Sequence, residues 1–182
     1  MKIGIAGVGG IGSNVAVNLA RSGIDTLKIV DFDRVELSNL NRQFYFFDQI
    51  GRLKVEALAE NLRRIRPELA IEAVAERVDS STCGALFADC DLIVEGFDGQ
   101  ADKKMLVECL GGERIVVSAC GIAGSELENI RVRRLGNCYI VGDFTTDCKT
   151  APLFSHKVAA VANHMTERIL LQPGVLHEKT AR

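Results

Sequence analysis

The sequence predicts an α/β fold in which a mainly parallel sheet is covered by helices on both faces. Short apolar runs recur along the chain, and segments with helical spacing separate them. The first of these runs leads directly into a glycine-rich turn. Toward the other end, two short strand candidates flank a Gly136-Asn137 turn, which predicts a C-terminal antiparallel hairpin.

Composition favours one globular domain. We expect residues 1–171 of the 182 to form that domain and residues 172–182 to form a polar, frayed tail. The formal net charge is −2 and no basic run is present, so nucleic-acid binding has no electrostatic support. No stretch of 18 apolar residues occurs and Met1 leads straight into a strand. We therefore expect no membrane span, no signal peptide and a cytoplasmic location.

The opening of the chain carries the fingerprint of a Rossmann-like nucleotide-binding unit. Residues 3–6 form an apolar run, a glycine turn follows, a helical segment extends to Gly23, and residues 27–30 form a second apolar run that ends at Asp31. This order of strand, turn, helix, strand and acid within about thirty residues is the context that a G-x-G-x-x-G motif needs. Asp31 is then placed to accept hydrogen bonds from a ribose hydroxyl.

The glycines of the turn have separate predicted tasks. Gly7 permits the tight turn, Gly9 and Gly10 let the backbone approach phosphate, and Gly12 lets the helix and sheet pack closely. The N-terminus of the following helix offers unpaired amides and a partial positive charge to an anion. A glycine turn that serves packing alone is the alternative.

Polar residues crowd the segment after Asp31, where a parallel strand leaves the ligand-binding edge of the sheet. An arginine and asparagines at this edge suit a charged triphosphate better than a neutral nicotinamide. The candidates for nucleotide contact are Asp33, Asn39, Arg42 and, on the next helix, Lys54. Asp98, at the mouth of the fourth predicted strand, is suited to hold Mg²⁺.

Taken singly, these residues also have plain structural interpretations. Arg42 could form a surface ion pair with Asp31 or Asp33, Lys54 could be a solvated charge, and Asp98 could cap a helix.

Three segments resemble the ThiF/MoeB/HesA family, bacterial relatives of ubiquitin-activating enzymes. They are GxGGxGS at residues 7–13, D-x-D-x-V-E-x-S-N-L-N-R-Q at residues 31–43, and G-x-x-K-V-E at residues 51–56. Asp98 after the fourth strand also matches. The resemblance extends from residue 1 to about residue 171, and the compact length and Asn-Arg-Gln-Phe-Tyr-Phe are most similar to the short members that act in thiamine synthesis.

The resemblance implies an ATP- and Mg²⁺-dependent adenylyltransferase. Such an enzyme joins the C-terminal glycine carboxylate of a small ubiquitin-like sulfur carrier, similar to ThiS, to AMP and releases pyrophosphate. The implied site residues are Asp31, Asn39, Arg42, Lys54 and Asp98. Relatives are generally homodimers. Relatives also carry a helix ahead of the first strand that lends an arginine to the neighbouring site, so here we expect a substitute basic residue or weaker catalysis.

Cysteine spacing argues against one property of the family. Many relatives bind zinc through two C-x-x-C pairs, whereas the six cysteines here form no such pair, and we expect no zinc. Cys148 lies in a predicted mobile loop beside Lys149, which favours the thiolate. It could receive the activated partner or carry sulfur, or be an incidental surface thiol. The other cysteines are predicted to lie in the core.

The remaining elements follow in order. Helices are predicted at residues 52–64, 100–110 and 152–171, and a further short helix is predicted to begin with Ser80 or Ser81 as its N-cap. Strands are predicted at residues 69–75, 92–94, 114–119, 129–134 and 138–142. Arg131, Arg133 and Arg134 predict a basic strand face, either solvated or bound to an acidic protein partner. The aromatics at residues 44–47 predict a wall of the nucleotide site, a subunit contact or core packing.

Three alternatives to the leading function remain open at this point. The same fold could activate a molybdopterin-type carrier or modify tRNA. The glycine motif could belong to an NAD-dependent oxidoreductase, against which Arg42 and Lys54 argue. The chain could also be a nucleotide-binding module without catalysis.

Overall fold

The computed structural model describes residues 1–176, and the predicted alternation of strands and helices is present in it. The elements are β1 (Ile3–Ala6), α1 (Gly10–Arg21), β2 (Thr26–Val30), α2 (Lys54–Ile65), β3 (Ala70–Val74), α3 (Cys83–Leu86), β4 (Leu92–Glu95), α4 (Gln100–Leu110), β5 (Ile115–Ala119), β6 (Arg131–Leu135), β7 (Cys138–Gly142) and α5 (Ser155–Leu170). Two 3₁₀ turns, Leu37–Asn39 and Phe47–Gln49, lie between β2 and α2.

In the described residues 1–176 a seven-stranded sheet carries the fold, with strand order β3-β2-β1-β4-β5-β7-β6. Every pairing is parallel except that between β6 and β7. The prediction of a mainly parallel sheet with a C-terminal antiparallel hairpin is therefore confirmed. The strand order reverses beside β1, which pairs with β2 on one side and with β4 on the other. This reversal opens a crevice at the carboxyl ends of these strands.

Helices cover both faces of the sheet, as predicted. On one face α1, α2 and α5 bury a large apolar cluster that includes Leu19, Leu58 and Met165. On the other face α3 and α4 bury a smaller one around Phe87 and Leu106. In both clusters, helix residues at helical spacing pack against residues of the strands. Within residues 1–176, no helix is long and apolar enough to cross a membrane.

The glycine turn after β1 is shaped by close backbone contacts. Gly7 has a φ of +83°, a backbone conformation that residues other than glycine rarely adopt. A Cβ atom on Gly12 would overlap the carbonyl oxygen of Gly7. Gly12 therefore lets α1 approach the sheet closely, which is the role that its position predicts.

We expect Gly12→Ala to destabilise the protein. The added methyl group would push α1 away from Gly7, and overpacking of this kind costs about 1–3 kcal/mol. The matched control is Gly84→Ala in α3, where an added Cβ meets nothing within 4 Å. Urea unfolding of both variants measures the difference. Equal stability of the Gly12 variant and the wild type would show that the close approach is not needed.

Two local predictions were wrong. Neither Ser80 nor Ser81 caps α3, because the N-cap is Thr82 and the carboxylate of Asp79 instead accepts the backbone amides of Ser81 and Thr82. The three arginines of β6 do not share one face. Arg131 and Arg133 lie on one face of the strand and Arg134 on the other, since successive side chains of a strand alternate.

The end of the described chain differs from expectation, whereas the aromatic run fits in part the core packing that was one of its three predicted alternatives, since Tyr45 belongs to the core and Phe44 packs against it. Residues 172–176 form turns in which Val175 is buried, so this part of the predicted frayed tail packs on the core; residues 177–182 lie outside the described residues. Of the four aromatics, Tyr45 is buried and its hydroxyl donates to the Val8 carbonyl over 2.7 Å. Phe46 and Phe47 are exposed. None of the four lines the cavity described below.

Candidate functional site

A cavity of about 540 Å³ opens at the carboxyl ends of β1, β2 and β4, where the strand order reverses. In open α/β sheets this crevice is the usual ligand site, and the volume lies within the range of small-molecule pockets. Predicted site residues that line it are Gly7, Gly9, Gly10, Asp31, Asp33, Arg42, Lys54, Asp98 and Cys148. The structure thus brings together residues that are up to 141 positions apart, from Gly7 to Cys148.

Two predicted residues do not line the cavity. Gly12 lies under the glycine turn, against the Gly7 backbone. Asn39 is buried, and its side-chain oxygen accepts the Glu36 amide over 3.0 Å. The Asn39 carbonyl also accepts the Arg42 amide over 3.1 Å. Asn39 therefore stabilises the 3₁₀ turn that delivers Arg42 to the cavity, and in this structure it offers no group to a ligand there.

Asp31 links the end of β2 to the glycine turn. Its carboxylate accepts the Val8 amide and the Asp33 amide, each over 2.8 Å. Burial raises the pKa of the Asp31 carboxyl, against the opposing effects of the Asp33 amide, the Lys54 charge and the Val8 amide. Each oxygen of a carboxylate has a second lone pair, so Asp31 is able to accept from a ligand hydroxyl as well.

Lys54 is held close to the cavity floor. Only 8% of its side chain is exposed, and its ammonium group pairs with the Asp33 carboxylate over 2.9 Å. The Lys54 amide also donates to the Asp33 carbonyl over 2.9 Å. Because the group is buried and fixed, the interpretation of Lys54 as a solvated charge is wrong. The pair places one positive and one negative charge on the cavity wall.

Arg42 supplies a cation that no carboxylate neutralises. Its guanidinium donates to the Ser38 carbonyl over 3.0 Å and to the Asn41 side chain over 2.8 Å, and it forms no ion pair within residues 1–176. Its side chain passes Gly10 at the N-terminus of α1. The first amides of a helix lack intrahelical partners and attract anions. Arg42 and α1 therefore provide adjacent positive groups at one end of the cavity.

Asp98 follows β4, on the other side of the glycine turn from Asp31, and its side chain is exposed. It does not cap α4, whose N-cap is Gly99 without a side-chain hydrogen bond. A second carboxylate that lines the cavity, Asp102, comes from the first turn of α4. In the described part of the chain, no group of three or more metal-binding side chains is assembled. Mg²⁺, however, commonly binds one or two carboxylates together with substrate phosphates.

The far end of the cavity has a wall that sequence reasoning missed. Glu76, Arg77 and Val78 follow β3 and line the cavity beside the exposed ring of Phe32. The Arg77 guanidinium lies 5.7 Å from the centre of that ring. The sequence does contain a signal for these residues, because they follow a parallel strand and therefore lie at the same edge of the sheet as Asp31. Ile122, Leu153 and Val158 complete the wall from distant segments that no local pattern connects.

The loop that carries Cys148 is anchored at its start. The Asp143 carboxylate pairs with the buried Lys157 ammonium over 2.6 Å and accepts the amides of Thr145 and Thr146. Burial opposes ionisation, yet the hydrogen bonds from Lys157 and these amides hold the pKa of the Asp143 carboxyl well below its usual value. The anchor fixes where the loop leaves β7, and Cys148 is exposed on the cavity wall.

The other five cysteines divide between core and surface. Cys83, Cys90 and Cys138 are buried, and burial raises the pKa of the Cys90 thiol to about 11. Cys109 and Cys120 are exposed, so the prediction that all five lie in the core was wrong for these two. Cys148 is the cysteine that meets the cavity in the part of the chain that the structure describes.

The strand order, the glycine turn and the cavity at the switch point define a Rossmann-like domain with a site of the kind that binds nucleotides. Residues 1–164 match the ThiF family. The chain belongs to that family.

Similar proteins point in the same direction. The chain is 36% identical over 123 residues to the molybdopterin-synthase adenylyltransferase of Escherichia coli, a match that covers 66% of this chain and 49% of that protein. It is 50% identical over 70 residues to the ubiquitin-like modifier-activating enzyme 5 of Drosophila grimshawi, covering 38% of this chain and 18% of that one. The chain thus spans about half, or less, of the length of these curated relatives.

The fold is shared with solved structures. The E. coli tRNA N6-threonylcarbamoyladenosine dehydratase in complex with AMP superposes with a TM-score of 0.81 at 22% identity. The match covers 92% of this chain and 85% of that one. At this identity the comparison supports the fold alone.

Proposed function

We propose that the protein adenylylates the C-terminal glycine carboxylate of a small ubiquitin-like sulfur carrier, using ATP and releasing pyrophosphate. The observation that carries this proposal is the convergence of Arg42, Lys54, Asp98 and the N-terminus of α1 on one cavity. Both reactants are anions, so the site must supply positive charge and hold them in line. The ThiF family includes relatives named as adenylyltransferases and activating enzymes, which supports the same chemistry.

The polarity of the cavity suggests how ATP lies in it. The phosphates face Arg42 and the amides of α1, the ribose lies beside Asp31, and the base lies toward Phe32 and Arg77. Lys54 contributes a second cation on the phosphate side, where its pairing with Asp33 fixes its ammonium group. In this orientation the α-phosphate would lie near the glycine turn, where the carrier would approach it.

Asp98 would hold Mg²⁺, with Asp102 close enough in the fold to line the same cavity. When bound, Mg²⁺ neutralises phosphate charge and favours departure of pyrophosphate. The donor set fits this ion, because carboxylate oxygens and phosphates are the ligands that it prefers. Arg42 and Lys54 would then bind the phosphate oxygens that the metal leaves open.

The reaction itself needs no protein nucleophile. A carboxylate oxygen of the carrier's terminal glycine attacks the α-phosphorus, the bond from that phosphorus to the bridging oxygen breaks, and the electron pair leaves with pyrophosphate. The product is an acyl-adenylate. Arg42 stabilises the charge that develops on the phosphate oxygens, through two parallel N–H donors.

Cys148 is proposed to act after this step. Its thiolate would attack the acyl-adenylate carbonyl, displace AMP and form a thioester with the carrier. Its position on the cavity wall supports this role, and the Asp143–Lys157 pair fixes the start of its loop. Because the step follows adenylylation, loss of Cys148 should spare pyrophosphate exchange.

For the carrier we propose a ThiS-like protein ending in Gly-Gly, and hence a role in thiamine biosynthesis. A molybdopterin-type carrier is the second candidate, favoured by the 36% identity to the molybdopterin-synthase adenylyltransferase. We propose a homodimer as the working assembly and, because the reaction consumes ATP, the cytoplasm as its location. The family assignment leaves the NAD-dependent oxidoreductase without support.

The test is ATP–pyrophosphate exchange with Mg²⁺, measured with a ThiS-like carrier, with a molybdopterin-type carrier and without either. We expect exchange that depends on the ThiS-like carrier and persists in Cys148→Ala. Exchange with the other carrier alone would replace the thiamine assignment. If the protein binds ATP but shows no exchange in any of the three conditions, a non-catalytic module is favoured. If it does not bind ATP, the proposal is overturned.

A further inference from the structure

Glu95, the last residue of β4, is a completely buried carboxylate beside the cavity, with no role in the chemistry above. One of its oxygens accepts the Ser118 hydroxyl over 2.5 Å and the Lys103 ammonium over 2.9 Å. The other accepts the Phe97 amide over 2.6 Å and the same ammonium over 3.1 Å. A buried charge is tolerated only when it is paired and hydrogen-bonded, and this one is both.

The donors to Glu95 come from three different segments. Ser118 belongs to β5, Lys103 to the second turn of α4, and Phe97 to the turn between β4 and α4. Glu95 therefore fixes the start of α4 and the preceding turn relative to the sheet. That turn contains Asp98, and the first turn of α4 contains Asp102.

The same turn is seated on the glycine turn. The Gly96 amide donates to the Ala6 carbonyl over 2.8 Å, and a Cβ atom on Gly96 would lie 2.5 Å from the Gly7 carbonyl oxygen. Little space is therefore available for Gly96 to shift toward β1. Glu95 in turn binds the Phe97 amide, so the two contacts together constrain the backbone that leads to Asp98.

We propose that Glu95 is a positioning residue that, through the Phe97 amide and Lys103, holds Asp98 where it meets the nucleotide-bound Mg²⁺. This inference rests on the proposed function, because it assigns Glu95 to the metal side of that site. Loss of a residue that orients a metal ligand typically lowers metal affinity or activity about 10- to 100-fold. Glu95 itself touches neither nucleotide nor metal.

The experiment uses Glu95→Gln, which keeps the shape but removes the charge that pairs with Lys103. We expect the Mg²⁺ concentration for half-maximal ATP binding to rise about 10- to 100-fold. ATP binding in EDTA should change less than about threefold, because the contacts of Arg42 and α1 remain. Hydrogen exchange at the Phe97 amide should become faster. Glu72→Gln, which removes a carboxylate from an ion-pair group with Lys2 and Lys28 outside the cavity, should leave all three quantities unchanged.

A second pair of variants covers the case in which Glu95→Gln does not fold. Lys103 is partly exposed, so Lys103→Gln should fold and show the same rise in Mg²⁺ requirement, whereas Lys103→Arg keeps the ion pair and should restore it. An unchanged Mg²⁺ requirement in a folded Glu95→Gln or Lys103→Gln variant would overturn the inference, as would equal losses of ATP binding with and without Mg²⁺. Binding and hydrogen exchange need no turnover, so a wild type that fails to exchange pyrophosphate rejects the proposed function without deciding this inference.

Discussion

Arg42→Ala is expected to lower the rate of ATP–pyrophosphate exchange about 10³-fold while leaving the fold intact. Arg42 supplies a cation on the cavity wall, beside the N-terminus of α1, that no carboxylate neutralises within residues 1–176. Removing one preorganised donor from a site of developing charge typically costs about 10²–10³ in kcat, and the loss of a bidentate cation belongs at the upper end. The partners of its guanidinium in the protein, Ser38 and Asn41, lie on the surface, so little stability should be lost.

Two further variants make the Arg42 prediction specific. Arg52→Ala removes an exposed arginine that pairs with Glu60 and does not line the cavity, so exchange should remain at the wild-type rate. Arg42→Lys keeps the charge but loses the planar pair of donors, and its activity should fall between those of wild type and Arg42→Ala. A fully active Arg42→Ala enzyme would exclude Arg42 from the mechanism.

The strands closest to the site were the easiest to predict. β1 and β4 are buried along their whole length, so β1 and residues 92–94 of β4 appear in the sequence as short apolar runs, and α4 begins and ends at the predicted residues. The position of the site could then be predicted from these strands, because in a parallel sheet the polar residues after each strand meet at one edge. Asp31 and Asp98 were found in this way.

Long-range pairing and local hydrogen bonds were harder to predict. The hairpin was expected, but no local pattern indicates that β7 inserts next to β5 and leaves β6 at the edge. The cap of α3 was misassigned because the Asp79 carboxylate competes for the amides that a serine would otherwise bind. Asn39 was expected at the nucleotide, yet its amide oxygen is used by the Glu36 backbone. Such choices between equivalent polar partners depend on tertiary geometry.

Asp98→Ala is expected to reduce exchange about 10³-fold through loss of Mg²⁺. Asp98 is exposed, caps nothing, and has no hydrogen bond or ion pair in the described part of the chain, so its removal should leave the melting temperature unchanged. Without this carboxylate the triphosphate keeps more of its negative charge, which opposes both the approach of the carrier carboxylate and the departure of pyrophosphate. ATP binding in the presence of EDTA should be unaffected.

The metal dependence distinguishes this effect from a general loss of negative charge. Asp48→Ala removes an exposed carboxylate outside the cavity and should exchange at the wild-type rate with the wild-type Mg²⁺ requirement. Raised Mg²⁺ should partly restore Asp98→Ala, because Asp102 remains as a second cavity carboxylate, and Asp98→Ala combined with Asp102→Ala should not recover. If Asp98→Ala keeps both its rate and its Mg²⁺ requirement, the metal is held elsewhere, and the position of Asp98 in the turn after β4 serves another purpose.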